Sequence, residues 1–360
     1  MTTTVPADRV SPAAAVRAMA AKTKPLGALG HLETIGVRLS ILQGTLKPRI
    51  DKARVCVFGA DHGISNEGVS AYPRAVTAEM MNNFDRGGAA INAIARCADV
   101  EVEVINVGVD ADLDGLRGVR NSVVRRGTGN FTKEAAMTPQ ELDAALGVGI
   151  DAARRAHADG IAALGLGEMG IGNTTSASAL LCALEGIRPE DAVGRGTGVD
   201  DATLVRKREV VSAALFLHCP AEPRDVLRTL GGLEIAAMTG AALEGSSLGL
   251  AIVADGFISS TAILAALHVA CEPDRRVIAR ALFFAHRSAE AGHRLVLERC
   301  GAFAGVDSTP LLDLGMRLGE GSGSALAMCL LRAGAAVMRE MATFESAQVS
   351  AGEHADEHGL

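Results

Sequence analysis

Two glutamates stand alone among glycines and small polar residues: Glu168 in "LGLGEMGIGNTTSAS" (164–178) and Glu320 in "RLGEGSGSALAM" (317–328). Removing bulk around a carboxylate lets the backbone close on a ligand. A carboxyl flanked by glycine and by apolar Leu318 is only partly solvated, which raises its pKa toward the range useful to a general base. After the first run Asn173, Thr174 or Thr175 can cap a helix, and the N–H groups and dipole of such a helix start favour a phosphate. The plain alternatives are a tight strand-to-helix turn that binds nothing and, for Glu320, a glutamate exposed in a turn.

Other residues offer weaker chemistry. Gly165, Gly167 and Gly170 spell G-x-G-x-x-G, with Glu190 or Asp191 about twenty positions on, a weak dinucleotide fingerprint. It lies mid-chain, and Glu168 would set negative charge beside the pyrophosphate. No Gly-Lys-Ser/Thr follows, so it is not a Walker loop. Lys207 lies in "GRGTGVDDATLVRKREVV", where Arg206, Lys207 and Arg208 read either as the solvated face of a helix or as a source of one ligand-binding cation. Asp61 and His62 in "GADHG", and Asp255 in "ADGF", end apolar runs, where a polar residue holds a loop or meets a ligand. Asp61, His62 and His286 lack metal-site spacing, and His354 and His358 sit in a polar, acidic tail that reads as a solvated end.

The elements that must position these residues are legible as a pattern. "RVCVFG", "VEVEVINVG", "GIAALGLG", "LGLAIVA" and "RALFFA" are short apolar runs, each ending in a polar signature. Between them lie helix-period stretches such as "TPQELDAALGVGIDAARRAHADG", "DDATLVRKREVVSAALFLH" and "EPRDVLRTLGGLEIAAMTGAAL". Strands alternating with helices predict an α/β fold, a mostly parallel sheet covered by helices, with ligands beyond the carboxyl ends of the strands. Residues 1–50 and 325–360 read as helical without intervening strands, so a smaller helical domain built from both chain ends is expected beside a large α/β substrate-binding domain at 51–324. The run 248–271 is long and apolar enough to suggest a membrane span, but Asp255-Gly256 interrupts it and a helix start follows.

Composition limits the partners. The 360 residues carry 35 Lys+Arg against 42 Asp+Glu, a net charge of −7 with no basic block, which excludes nucleic acid and anionic lipid as expected partners and favours a small ligand. The 7 cysteines include no C-x-x-C pair, which reads as reduced thiols, and the N-terminus has no apolar core of signal-peptide type, so a cytoplasmic protein is expected. With 41 glycines and no low-complexity repeat, ligands should be gripped largely by main chain.

Taken together and in order, "KPLGALGHLE", "GADHGISNEGVSAYPRAVTAEMMNNFDRGGAAIN", "GEMGIGNTTSASAL", "GRGTGVDD" with Lys207, "GGLEIAAMTGAAL", "DGFISSTAILAA", "HRSAEAGH" and "RLGEGSGSALAM" resemble the nicotinate-nucleotide:dimethylbenzimidazole phosphoribosyltransferase family over residues 20–345. The resemblance implies a Rossmann-like domain with a small helical domain from both termini, a homodimer, and no cofactor or metal. It implies transfer of phosphoribose from nicotinate mononucleotide to a benzimidazole-type base, giving α-ribazole 5′-phosphate and nicotinate in the lower-ligand branch of cobalamin biosynthesis.

It also implies roles. Glu320 is the general base and Glu168 the second carboxylate, acting at the ribose or in aiding proton removal. Gly172, Asn173, Thr174, Lys207 and Ser288 hold phosphate and ribose, and Tyr72, Met80 and Leu318 form the base pocket. Some members have Ser in place of Tyr72 and Gln in place of Met80, and some accept purines or phenolic bases, so the acceptor is left open.

Overall fold

Each of the five apolar runs becomes a strand. The computed structural model describes residues 10–196, 198–305 and 307–350, so His354 and His358 lie outside the described residues. Two helices come first: α1 (Pro12–Ala20), whose Ser11 hydroxyl accepts the Ala14 N–H at 3.2 Å, and α2 (His31–Gln43), ended by left-handed Gly44. Then follow β1 (Ala53–Ala60), α3 (Val76–Asp85), α4 (Ala90–Ala98), β2 (Glu101–Gly108) and β3 (Val119–Asn121). Helix α5 (Pro139–Ala158) opens on a capping box in which Thr138 and Glu141 exchange hydrogen bonds.

Next come β4 (Ala163–Met169), α6 (Asn173–Glu185), α7 (Pro189–Ala192), α8 (Asp201–His218), α9 (Pro223–Leu230) and α10 (Leu233–Ser247). The described chain closes with β5 (Ala251–Ala254), α11 (Phe257–Val269), α12 (Glu272–Ala281), β6 (Leu282–Phe284), α13 (Ala291–Ala304), α14 (Ser322–Glu340) and α15 (Phe344–Ala347).

The sheet has the order β3-β2-β1-β4-β5-β6, and every adjacent pair is parallel. The chain winds outward from β1 to β3, then returns to the other side of β1 and winds outward again. Doubly wound sheets bind ligands near such a reversal, which falls here between β1 and β4, next to the strands whose carboxyl ends carry the site described below. β1 and β4 are almost wholly buried, as strands covered on both faces must be.

Three local outcomes differ from the sequence pattern or explain it. The stretch 222–243, read as one helical run, breaks at Gly231-Gly232 into α9 and α10. β3 has 3 residues, 2 of them exposed, and so lacks the apolar signature that marked the other strands. The run 248–271 splits into β5 and α11, and α11 is apolar on nearly every side because nearly every side is buried. No helix among the described residues is long and apolar enough to cross a membrane.

The chain forms two units, one made of the residues up to Asp51 together with those from Met328, the other spanning Lys52–Ala327. In the first, Ala15, Met19 and Met338 form a buried cluster with Val37 and Ile41 packed against it. Arg332 and Arg339 tie the two chain ends together by donating to the carbonyls of Ile50 (3.1 Å) and Pro48 (2.9 Å). The second unit contains the sheet and every candidate site residue.

Candidate active site

The site is built at the carboxyl ends of β4, β5 and β6. β4 carries Glu168 at its end and turns through Gly170 and Gly172, the latter at φ 100°, into α6. The Asn173 side-chain amide donates back to Glu168 Oε2, and the Ile171 N–H donates to the Thr77 hydroxyl of α3 at 3.2 Å. Beneath the turn, buried His62 bridges Glu234 Oε1 through Nε2 (2.6 Å) and Ser176 Oγ through Nδ1 (3.0 Å). Because Gly165 and Gly167 lie inside β4 rather than in the turn after it, the dinucleotide fingerprint has no loop in which to act.

The second glycine run docks onto the first. Gly319, Glu320 and Gly321 are all left-handed, at φ 90°, 63° and 79°. For Glu320 this conformation costs about 1–2 kcal/mol, so surrounding contacts must impose it. The Glu320 N–H donates to the Glu168 carbonyl (3.2 Å), and the Ser322 N–H to that of Gly319 (3.1 Å). A side chain at Gly167 would meet the Glu320–Gly321 backbone at 2.6 Å, so this position admits only glycine if the two runs are to touch. Glu320 Oε2 in turn accepts the Ile91 N–H at the start of α4 at 3.1 Å.

These carboxyls are difficult to ionise. Burial, and then the charges of Glu234, Asp255 and Glu320, push Glu168 up to about 8 against the pull of Asn173. Glu320 is also raised, chiefly by burial and further by Asp255, while backbone N–H groups of Ile91 and Ala90 oppose the shift.

A buried cation lies beside Thr174. Lys207 is 1 % exposed, so of the two readings of the Arg206–Arg208 run the solvated face does not describe it. Its Nζ donates to Thr174 Oγ1 (3.2 Å) and the Gly194 carbonyl (3.1 Å), and it has no ion pair among the described residues. Burial lowers its pKa to about 8, with Glu290 opposing. The Ser288 N–H donates to His293 Nδ1 (2.9 Å), and burial takes His293 down to about 3, so it stays neutral.

One cavity is lined by Glu168, Asn173, Thr174, Ser288 and Leu318, together with Asp255 and His286. Gly172, Lys207 and Glu320 are not among its lining residues: Gly172 precedes Asn173 of the lining, Lys207 donates to Thr174, and Glu320 is bonded through its backbone to Glu168. Tyr72 and Met80 are not among its lining residues. Tyr72 is half exposed, and Met80 lies one turn beyond Thr77 on α3, the helix that holds Ile171 of the cavity wall. Glu234, Glu290 and Thr77 also shape the site. The run "GGLE" marks Glu234 in the sequence, but a lone Thr77 in a helix carries no local signal.

Asp61, His62 and His286 do not converge. Asp61 accepts the Asp110 N–H (2.8 Å), His62 holds Glu234, and His286 lies 3.9 Å from Asp255. Among the described residues no group of three or more His, Cys, Asp or Glu is placed to hold a metal ion. A second groove of about 550 Å³ lies where β1 and β2 begin, and most of its charges pair internally, Arg54 with Glu101 and Asp159, and Arg120 and Arg155 with Glu103.

A family model described as phosphoribosyltransferase matches residues 5–349. Nicotinate-nucleotide–dimethylbenzimidazole phosphoribosyltransferase of Geotalea uraniireducens is 46% identical over 351 residues, 97% of either chain. The protein of that name from Thermus thermophilus is 49% identical over 331 residues, 92% of this chain and 95% of the relative. The crystal structure of this phosphoribosyltransferase from Thermus thermophilus superimposes with a TM-score of 0.87 at 46% identity, covering 95% of this chain and 98% of that one. Matched along nearly its whole length in sequence and in fold, the chain belongs to the nicotinate-nucleotide–dimethylbenzimidazole phosphoribosyltransferase family.

Proposed function

We propose that the protein transfers phosphoribose from nicotinate mononucleotide to 5,6-dimethylbenzimidazole or a related base, releasing nicotinate and forming α-ribazole 5′-phosphate for the lower ligand of a cobamide. The observation that carries this reading is the docking of the Gly319–Gly321 turn on β4, which joins the backbones of Glu320 and Glu168 near a buried lysine that makes no ion pair among the described residues.

The donor's phosphate supplies Lys207 with a close anion. Lys207 and Thr174, with the Gly172 N–H and the Asn173 side chain at the start of α6 and with Ser288, supply cation, polar hydrogen-bonding groups and helix dipole. The C1′–N bond then breaks with its electron pair moving to the pyridinium nitrogen, so nicotinate leaves without needing a proton. Positive charge spreads over the ribose, and Glu168 meets it. Neutral in the empty site, Glu168 is favoured as the anion once a cation lies against it.

The acceptor attacks C1′ from the opposite face through one ring nitrogen. Glu320 takes the proton from the other nitrogen. Oε2 is engaged by Ile91, which orients the carboxylate. Tyr72, Met80 and Leu318 contact the acceptor ring. The working form is a cytoplasmic homodimer, as the family likeness implies, with no cofactor.

A mass-spectrometric assay of the purified protein with nicotinate mononucleotide and a panel of benzimidazoles, purines and phenols tests the proposal. Nicotinate and a ribosylated base phosphate should appear together. A protein that binds the donor and releases no nicotinate with any of these bases is not this enzyme. Sedimentation equilibrium tests the dimer.

A further inference from the structure

Asp255 stands between β5 and α11, 3 % exposed, and lines the same cavity, but no contact to phosphate, ribose or base is assigned to it above. Its Oδ1 accepts the Ser324 N–H at 3.0 Å, and the backbone N–H groups of Gly323 and Gly321 also favour its charged form. These are the free donors at the start of α14, which no residue within the helix can satisfy. A carboxylate placed there from another part of the fold serves as a tertiary N-cap and opposes the positive end of the helix dipole.

A second bond reinforces the first. The Ser324 hydroxyl donates to the Val253 carbonyl at 2.9 Å, so the beginning of α14 is fastened to the end of β5 by main chain and side chain together. The residues so fastened lie directly after the left-handed Gly319–Glu320–Gly321 turn. Held only by its bonds to Glu168, Gly319 and Ile91, that turn would be free to relax the conformation that glutamate disfavours. The clamp at its far end removes that freedom.

We infer that Asp255 is a positioning residue for Glu320: it anchors the start of α14 to β5 and thereby keeps the base's turn in its left-handed form against β4. The inference rests on the phosphoribosyl-transfer reading for its kinetic consequence, while its structural content does not depend on that reading.

The kinetic test is a double-mutant cycle in the full-length protein. Asp255→Ala should lower kcat by about 10²-fold, the scale of a displaced catalytic group. KM for nicotinate mononucleotide should stay within about twofold, because the phosphate contacts are elsewhere. Asp255→Asn keeps an oxygen for the Ser324 N–H and should restore most of the loss. If Asp255 acts through Glu320, adding Asp255→Ala to Glu320→Ala should cost less than about twofold more.

Losses that multiply in the double variant, or an Asn variant as impaired as the Ala one, would overturn the inference while leaving the enzyme's reaction intact. Amide hydrogen exchange supplies the readout that needs no activity. In Asp255→Ala, and in Ser324→Ala as a milder variant, exchange at residues 319–324 should quicken by about tenfold or more while β4 and β5 stay protected. Unchanged exchange there would refute the clamp even in a protein that transfers no phosphoribose.

Discussion

Glu320 Oε2 accepts a hydrogen bond from the Ile91 N–H, 3.1 Å away and 229 positions earlier in the chain. The residue proposed as general base is therefore also the cap of α4, and its two duties can be separated. Glu320→Gln keeps an oxygen for Ile91 and should leave thermal stability nearly unchanged while turnover falls by about 10²-fold or more. Glu320→Ala should lose the same turnover and, in addition, about 1 kcal/mol of stability. Equal melting temperatures for the two variants would show that the cap contributes nothing.

Glu168 predicts a stability that depends on pH. Its folded pKa, about 8, lies above the 4.5 of a free glutamate, so the folded state holds the proton more tightly. The stability this contributes is complete below about 4.5 and is lost as pH rises through 8, with an upper bound on the order of 5 kcal/mol. Glu168→Gln removes the titration and should melt higher than the parent by a margin that grows from pH 6 to pH 9, while transfer activity falls. Calorimetry across that range decides it, and a constant margin would mean that Glu168 is already ionised.

Glu234 is the largest charge acting on Glu168, and its Oε2 has no hydrogen-bond partner among the described residues. Glu234→Gln should therefore lower the pKa of Glu168 and shrink the stability margin that Glu168→Gln shows at pH 9. A Glu168 titration by carboxyl NMR that does not move in this variant would contradict the electrostatic account.

Lys207, lowered to about 8 by burial, must be charged to meet a phosphate. Donor affinity should fall as pH rises above 8, approaching tenfold per unit, and Lys207→Met should bind the donor weakly and without that dependence, the charge-assisted contact being worth about 1.5–3 kcal/mol. Titration calorimetry with nicotinate mononucleotide between pH 7 and 9.5 is the check. Parallel pH profiles for the two proteins would remove Lys207 from the phosphate site.

Tyr72 and Met80 predict a change of acceptor rather than of rate. Tyr72→Ser with Met80→Gln should alter the ranking of benzimidazoles, purines and phenols by about tenfold in kcat/KM, the scale of one or two pocket contacts, with KM for the donor unmoved. An unchanged ranking would place the acceptor ring away from α3.

Most of the fold is legible in the sequence because burial writes itself into composition. The runs at β1, β2, β4, β5 and β6 are apolar because helices cover the sheet, and their polar ends mark where the cover stops. β3 leaves no such mark, because an edge strand with 2 exposed residues is under no such constraint. The break between α9 and α10 is marked in the sequence by Gly231-Gly232, a turn signal that a reading by apolar period alone passes over.

The candidate site is legible only in part, and the division is physical. From residue order alone come the class of fold, the two glycine-flanked carboxylates and the helix start beside Glu168, since each is a local matter of bulk, polarity and backbone freedom. The chain's order cannot say whether Lys207 faces water or the interior, that Glu320 caps α4, or that Asp255 holds the start of α14. Those outcomes join positions up to 229 residues apart, and they depend on which strand lies beside which. Only the sheet order β3-β2-β1-β4-β5-β6, decided by the packing of the whole domain, brings them to one crevice.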